Sequence, residues 1–451
     1  MQDLTTGSIT RHLLKTTSFM LVTMVFQTLY VLIDLYWVGR LGKEAVAGVG
    51  VAGNLAFIVL AVSQMLGVGT TTLVSHAVGR KDRSRALLVF NQSQVLGIVV
   101  GGLFLLLAMA LRMPYAIALS ADDATAALAA DYLLWFIPAM ALQFGMVSMG
   151  SALRGTGNFK PGMIVQTATV ILNMLLAPFL IFGWGTGIAM GVAGAALSTF
   201  VAVLVGIVWM ATYFLSDSAY LHVVPSLWKP AFGLWGQMLK VGLPAGAEFG
   251  LMAAYLFLVY VVSRPFGAAA QAGFGIGMRI IQAGFLPVVA LGFAVAPVAG
   301  QNFGARHPDR VRKTFVSAAS LAGGLMLLFA LLCHIAPDEM ITFFSKDPAV
   351  IAVGDEYLRI VSWNFVASGI IFVGSSMFQA IGNTIPALMT SVLRLVLVAV
   401  PVLLFARQPG FSLRLIWYLS VASVMLQMVM SLLLLKRELN LRLRFDPAPA
   451  T

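Results

Sequence analysis

The chain has 451 residues, of which 60% are hydrophobic and only 10% charged, and its mean hydropathy is +0.94. Soluble domains carry about 25% charged residues, so this composition excludes a water-soluble globule and makes lipid the main solvent. The formal charge of +11 raises nucleic acid as a partner, an idea the placement of the charges then excludes.

A helical span needs about 20 apolar residues. In chain order the apolar runs are 15–38, 46–75, 87–111, 127–152, 161–183, 191–214, 241–263, 272–303, 314–336, 354–380, 386–406 and 413–435. They predict an all-α polytopic membrane protein with twelve spans, and none shows the short alternation of an outer-membrane barrel. The first run follows the polar stretch MQDLTTGSITRHLLK. It is too long for a signal-peptide core and is read as span 1.

Numbering the loops alternately from the inside, eighteen of the 28 Lys and Arg residues fall on the inner side and seven, Arg407 among them, on the outer side. The remaining three, Arg279, Arg359 and Arg394, lie within spans. This is the positive-inside pattern with both termini cytoplasmic. The basic excess therefore encodes topology, with lipid and not nucleic acid as the partner surface. A lone cysteine, Cys333, excludes an internal disulfide.

The sequence repeats at an offset of 225 residues. LGKEAVAGVG (41–50) falls on FGAAAQAGFG (266–275), Gly79 on Gly304, DYL (131–133) on EYL (356–358), and GNFKP (157–161) on GNTIP (382–386). Six spans per half is an even number, so both halves enter the membrane in the same orientation, and a parallel pseudo-two-fold repeat is expected. The predicted organisation is an N-lobe at 1–215, a cytoplasmic connecting segment at 216–237 and a C-lobe at 238–451. The prolines of that segment, with Trp228 and Trp235, predict a short interfacial helix. Paired lobes of this kind are the architecture of secondary transporters.

Little enzyme chemistry is available. No G-x-x-x-x-G-K-[ST], H-E-x-x-H or G-x-S-x-G motif occurs, and the five histidines are scattered. No cofactor is expected. Of the seventeen acids, all but two sit in loops, tails (Asp217 and Asp446 included) or beside two outer loops. The exceptions are Asp34, in QTLYVLIDLYWVGRLG (27–42), and Glu248, each in the first span of its half. An acid at bilayer depth costs roughly 2.5–3.5 kcal/mol on insertion scales, and desolvation favours the protonated form of a carboxyl group. Asp34 lies five residues before Gly39 and is too short to reach the interface. Gln27 and Tyr30 precede it by seven and four residues and share its helix face. Glu248 follows Pro244 by four residues and is the second-lobe candidate. Arg279 and Arg394 lie deep enough to neutralise an acid, bind an anionic head group or bridge helices.

These stretches, together with VGRKDRSRA, RGTGNFKP, NMLLAPFLIFGWG (173–185), GVAGAALST (191–199), VGLPAG, GQNFGA and QAIGNTIPAL, resemble multidrug and toxic compound extrusion (MATE) transporters, particularly the DinF-like bacterial branch. The resemblance covers nearly the whole chain. It implies cation-coupled antiport of small amphipathic, often cationic compounds, and the expected setting is a monomer in a bacterial inner membrane. It maps the first-helix acid onto Asp34 and an N-lobe polar cluster onto Asn173 and Thr199; these two, with Tyr30 and Gln27, are expected to tune the acid through hydrogen bonds. Many family members carry a second acid four residues after that asparagine, where this chain has Ala177. They also carry a bending proline fifteen residues before the first-helix acid, where this chain has Phe19. The missing acid favours protons over sodium as the coupling ion. Gln64, Met65, Met146, Tyr255, Gln282 and Met377 are the candidate residues of a substrate cavity. A lipid or lipid-linked precursor flippase is the alternative class.

Overall fold

The computed structural model describes residues 1–185, 187–216, 219–405, 408 and 410–445. Asp217, Arg407 and Asp446, counted above among loop and tail charges, lie outside them. The described residues form helices and no strands, and twelve stretches are long and apolar enough to cross a membrane. The first span is α1 (Ile9–Gly39). The second is α2 (Lys43–Gly53) and α3 (Leu55–Gly79), interrupted at Asn54. Then come α4 (Arg83–Leu119), α5 (Asp123–Gly155), α6 (Lys160–Phe182) and α7 (Gly191–Phe214). The second half begins with α8 (Phe232–Ser263), α9 (Ala268–Gly304) and α10 (Pro308–Ile335). A short α11 (Pro337–Thr342) precedes a broken span of α12 (Pro348–Val361) and α13 (Phe365–Ala380). The chain closes with α14 (Ile385–Phe405) and α15 (Leu413–Arg442).

All twelve predicted spans are present. Several helices overrun the apolar runs that announced them: α1 begins at Ile9 and α15 continues to Arg442. Hydropathy locates the hydrocarbon, whereas a helix continues through charged residues as long as its backbone bonds are met. Where helices begin, side chains satisfy orphan amides. Asp82 accepts from Arg85 N and Asp122 from Thr125 N, and the latter bond holds the exposed Asp122 carboxyl below its ordinary range. Outward faces are apolar, with Leu106 70% and Phe257 72% exposed, as lipid contact requires.

The internal repeat extends to single backbone angles. Gly42 and Gly267 precede α2 and α9 with φ of 111° and 89°, Gly157 and Gly382 have 74° and 75°, and the non-glycine residues Lys81 and Arg306 have 58° and 59°. A left-handed lysine and arginine at equivalent positions are unusual for residues with a Cβ. Both sit at the turn after a helix-ending glycine, Gly79 or Gly304.

The helices group into two compact units. Unit 1 holds residues 1–3 and 18–246, and unit 2 holds residues 4–17 and 247–451. These boundaries differ from those expected in two places. Residues 4–17 belong with unit 2, because Leu4 N donates to Gln301 Oε1 (3.0 Å), Asn302 Nδ2 donates to Leu4 O (3.1 Å) and Arg310 Nη1 donates to Gly7 O (3.0 Å). Residues up to 246 belong with unit 1, because Gly242 and Gly246 on α8 lie directly against the Met65 and Ala61 backbone of α3. Small residues at these points let the two helix backbones approach.

The connecting segment is helical only in part: among its described residues, Pro225–Trp228 form a 3-10 helix and 232–237 are the first turns of α8, and two fully buried amides of α4 hold the chain around them. Asn91 Oδ1 accepts from Val224 N (2.9 Å) and Trp228 Nε1 (3.0 Å), while Nδ2 donates to Leu87 O and His222 O. Gln92 Oε1 accepts from Ala231 N and Trp235 Nε1 (both 2.9 Å), while Nε2 donates to Leu227 O and Lys229 O. Each amide fills all four of its hydrogen-bond positions. Asn91→Leu strands two donors of the segment, Val224 N and the exposed Trp228 Nε1, at about 1–3 kcal/mol in all. The expected result is a lower unfolding temperature and faster hydrogen exchange at Val224, with α9 and α10 unaffected.

Candidate functional site

In unit 1 the site is built on the α6–α7 hairpin. Gly183, at φ 72°, closes α6. Gly194 in the first turn of α7 then lies against the α6 backbone, where an added Cβ would meet Leu180 C at 2.6 Å and Ile181 N at 2.9 Å. That approach brings Thr199, five residues on, to Asn173; the two are 5% and 4% exposed. Asn173 Nδ2 donates to Thr199 Oγ1 (2.9 Å), and Thr199 Oγ1 donates to Ala195 O (3.3 Å). A hydroxyl has one proton to give. Tyr30 OH, 3.1 Å from Thr199 Oγ1, is therefore the donor of the third bond. Helices α1, α6 and α7 meet in this network.

Asp34 lies one turn beyond Tyr30 on α1, about 6 Å along the axis. Its Oδ1 is buried and has no hydrogen-bond partner among the described residues. A buried acceptor without a partner costs about 1–3 kcal/mol, more when charged. Ala177, one turn after Asn173 and 1% exposed, packs in an apolar cluster with Val38, Ile137 and Ile181, so the network contains a single carboxylate. Phe19 stands in an uninterrupted α1 with no internal proline, unlike α8 with Pro244.

The structure brings Tyr30, Asn173 and Thr199 together as expected and places Asp34 beside them. Gln27 differs: its side chain is exposed and joins none of these bonds. Seven residues is about two turns, roughly 10 Å along the helix, too far for the amide to reach the Asp34 carboxyl.

In unit 2, Glu248 is held by two hydroxyls: Ser375 Oγ on α13 donates to Oε2 (2.9 Å) and Ser391 Oγ on α14 to Oε1 (3.2 Å). Gln427 Nε2 on α15 donates to Ser391 Oγ (3.3 Å). Sequence reasoning missed Ser375, Ser391 and Gln427. Their signal is the presence of hydroxyl and amide groups inside apolar spans, which Ala or Leu would fill if packing alone mattered. The two acids are not equivalent in the repeat. The position matching Asp34 is the buried Val259, and the one matching Glu248 is Thr23, whose hydroxyl donates to Phe19 O.

The candidate cavity residues separate. Met146 (3% exposed) and Met377 (0%) lie in the apolar cores of their units and do not line an open cavity, because a flexible thioether fills core gaps as readily as ligand sites. Met65 packs at the edge of a core, Gln64 is half-buried and Gln282 exposed. Tyr255 donates to Ser420 Oγ (3.1 Å) in unit 2.

The sequence matches the MatE family model over residues 20–179 and 244–404, two stretches that follow the internal repeat. It is 25% identical over 405 residues to the multidrug export protein MepA of Staphylococcus aureus, covering 89% of this chain and 88% of that protein. It is 26% identical over 393 residues to the probable multidrug resistance protein YpnP of Bacillus subtilis, covering 84% and 86%. In fold it is similar to a MOP superfamily transporter from Pyrococcus furiosus, with a TM-score of 0.90 over 98% of both chains at 22% identity.

Proposed function

The chain belongs to the MatE family, and on that premise we propose that it exports small amphipathic, cationic compounds in exchange for protons. The relatives' names supply multidrug export, and the observation that carries proton coupling is the buried, unpartnered oxygen of Asp34 beside the Tyr30–Thr199–Asn173 network. Ionised Asp34 attracts a cationic substrate. A proton arriving from outside cancels the charge, removes the reason to hold the cation, and lets the substrate leave outward. Loss of that proton to the cytoplasm resets the site. The fixed hydroxyl–amide network keeps α1, α6 and α7 in register while the carboxyl changes state. A sodium ion takes several oxygen ligands, and with Ala177 in place of a second acid the donor set favours the proton. In this scheme the chain acts as a monomer in the bacterial cytoplasmic membrane, both termini cytoplasmic, with no organic cofactor.

Proteoliposomes loaded with a cationic dye test the reading. Dye efflux is expected to accelerate under an inward proton gradient and to be unmoved by a sodium gradient alone. Acceleration by sodium only would overturn proton coupling. No export under either gradient would overturn the exporter reading.

A further inference from the structure

Unit 2 contains a second polar constellation, separate from the Glu248 hydroxyl pair. Arg394 stands on α14 inside a membrane span, its guanidinium carbon 5.0 Å above the ring of Tyr255 on α8. Its Nε is buried with no hydrogen-bond partner, and Arg394 forms no ion pair among the described residues. Tyr255 leads to Ser420 on α15, which also accepts from Asn364 Nδ2 (3.5 Å). One turn earlier on α15, Trp417 is 1% exposed, and its indole Nε1 has no partner either. Trp417 packs edge-on to Tyr357 (ring centroids 4.7 Å) in the same cluster that Tyr255 packs against, so two N–H donors, one of them cationic, stand in one aromatic cluster without a partner among the described residues.

A cation over a ring accounts for the charge only in part. The ring face attracts the guanidinium plane but gives its in-plane N–H groups no acceptor, and a buried donor left unmet is costly. Glu248 does not answer the need. It is tied to Ser391, one turn before Arg394, and to Ser375, and it forms no ion pair with Arg394. What Arg394 and Trp417 lack is an acceptor bearing negative charge. Planar oxyanions fit a guanidinium fork best, and the aromatic surround of Tyr255, Tyr357 and Trp417 suits an apolar body attached to that oxyanion.

We propose that Arg394 and Trp417 form a subsite in unit 2 for the oxyanion, carboxylate or phosphate, of an amphipathic ligand. This rests on the exporter reading only for the ligand's being a transported compound, and it widens the substrate class from cations to molecules that also carry an acidic group. The same chemistry is offered by the head group of an anionic phospholipid.

The test is binding to purified protein in nanodiscs of uncharged lipid. The probes are one xanthene dye in two forms, the free carboxylate and its methyl ester, with a parallel arm that adds anionic phospholipid and reads thermal stabilisation. The wild-type chain is expected to favour the carboxylate, and Arg394→Gln to weaken carboxylate binding by about tenfold or more relative to ester. Arg394→Lys, keeping charge without the fork, restores part of the preference. Trp417→Phe, which removes the indole donor while keeping a smaller aromatic ring in the stack, weakens it by a few-fold and serves as the readout if Arg394→Gln fails to fold. A preference confined to the phospholipid arm and lost in the same variants assigns the subsite to lipid. The proposal is overturned if the two dye forms bind alike and anionic lipid gives no stabilisation dependent on Arg394 or Trp417. Binding needs no gradient, so failure here is separable from failure of proton coupling.

Discussion

Asp34→Asn is expected to abolish export driven by a proton gradient while leaving folded protein in the membrane at wild-type yield. The side chain keeps its size, its turn on α1 and its distance from the Tyr30–Thr199–Asn173 bonds, none of which it makes itself. What it loses is the ability to carry a charge in one state and none in the other. A two-state cycle needs a differential interaction with its driving ion, and an amide has none with the proton. The predicted signature is dye efflux at the level of empty liposomes, at every imposed pH gradient, from protein whose unfolding temperature is unchanged or raised. Asn173→Leu gives a contrasting phenotype: it strips one donor from Thr199 and costs stability, about 1 kcal/mol, with export slowed and still proton-dependent.

Gly194→Val is expected to have the largest effect on folding. The added Cβ would meet the Leu180 carbonyl, Leu180 C at 2.6 Å and Ile181 N at 2.9 Å, all of them backbone atoms. Backbone in a hydrogen-bonded helix cannot yield as a side-chain tip can, so α7 must part from α6. Overpacking costs about 1–3 kcal/mol where side chains adjust, and here the cost lies at or above the upper end. Separation also pulls Thr199 away from Asn173, so protein that survives loses coupling as well. Gly162→Ala, on α6 at a position with nothing within 4 Å of an added Cβ, is the control and stays neutral or gains up to about 1 kcal/mol from helix propensity. Fluorescence-detected size-exclusion after heating separates the two.

The sequence carried the architecture well because a lipid solvent forces long apolar helices, and because the repeat fixes equivalent turns at Gly42 and Gly267 or Lys81 and Arg306. Asp34 stood out since an acid in an apolar run is rare, and Tyr30 followed from helix periodicity. Asn173 and Thr199 came from the resemblance, not from spacing, since nothing across the 26 positions that separate them states that α6 folds back on α7. Gln27 shares a face with Asp34 by periodicity, but two turns of helix exceed the reach of its amide. Met146 and Met377 show the same limit from the other side: residue type says thioether, and only packing says core. The Glu248 hydroxyls and the unmet donors of Arg394 and Trp417 were invisible because they come together from four helices across more than 160 residues. The amides that hold the connecting segment escaped for a related reason, since Asn91 and Gln92 sit more than 130 residues from the groups they bind.

The proposed export cycle turns on Asp34 exchanging a proton for substrate. Its most direct test is proton release on dye binding, read with a pH indicator in weakly buffered detergent solution. Wild-type protein is predicted to release protons as the cationic dye saturates, and Asp34→Asn to bind without release. Binding by the wild-type chain with no change in pH, or equal release from both proteins, would contradict it.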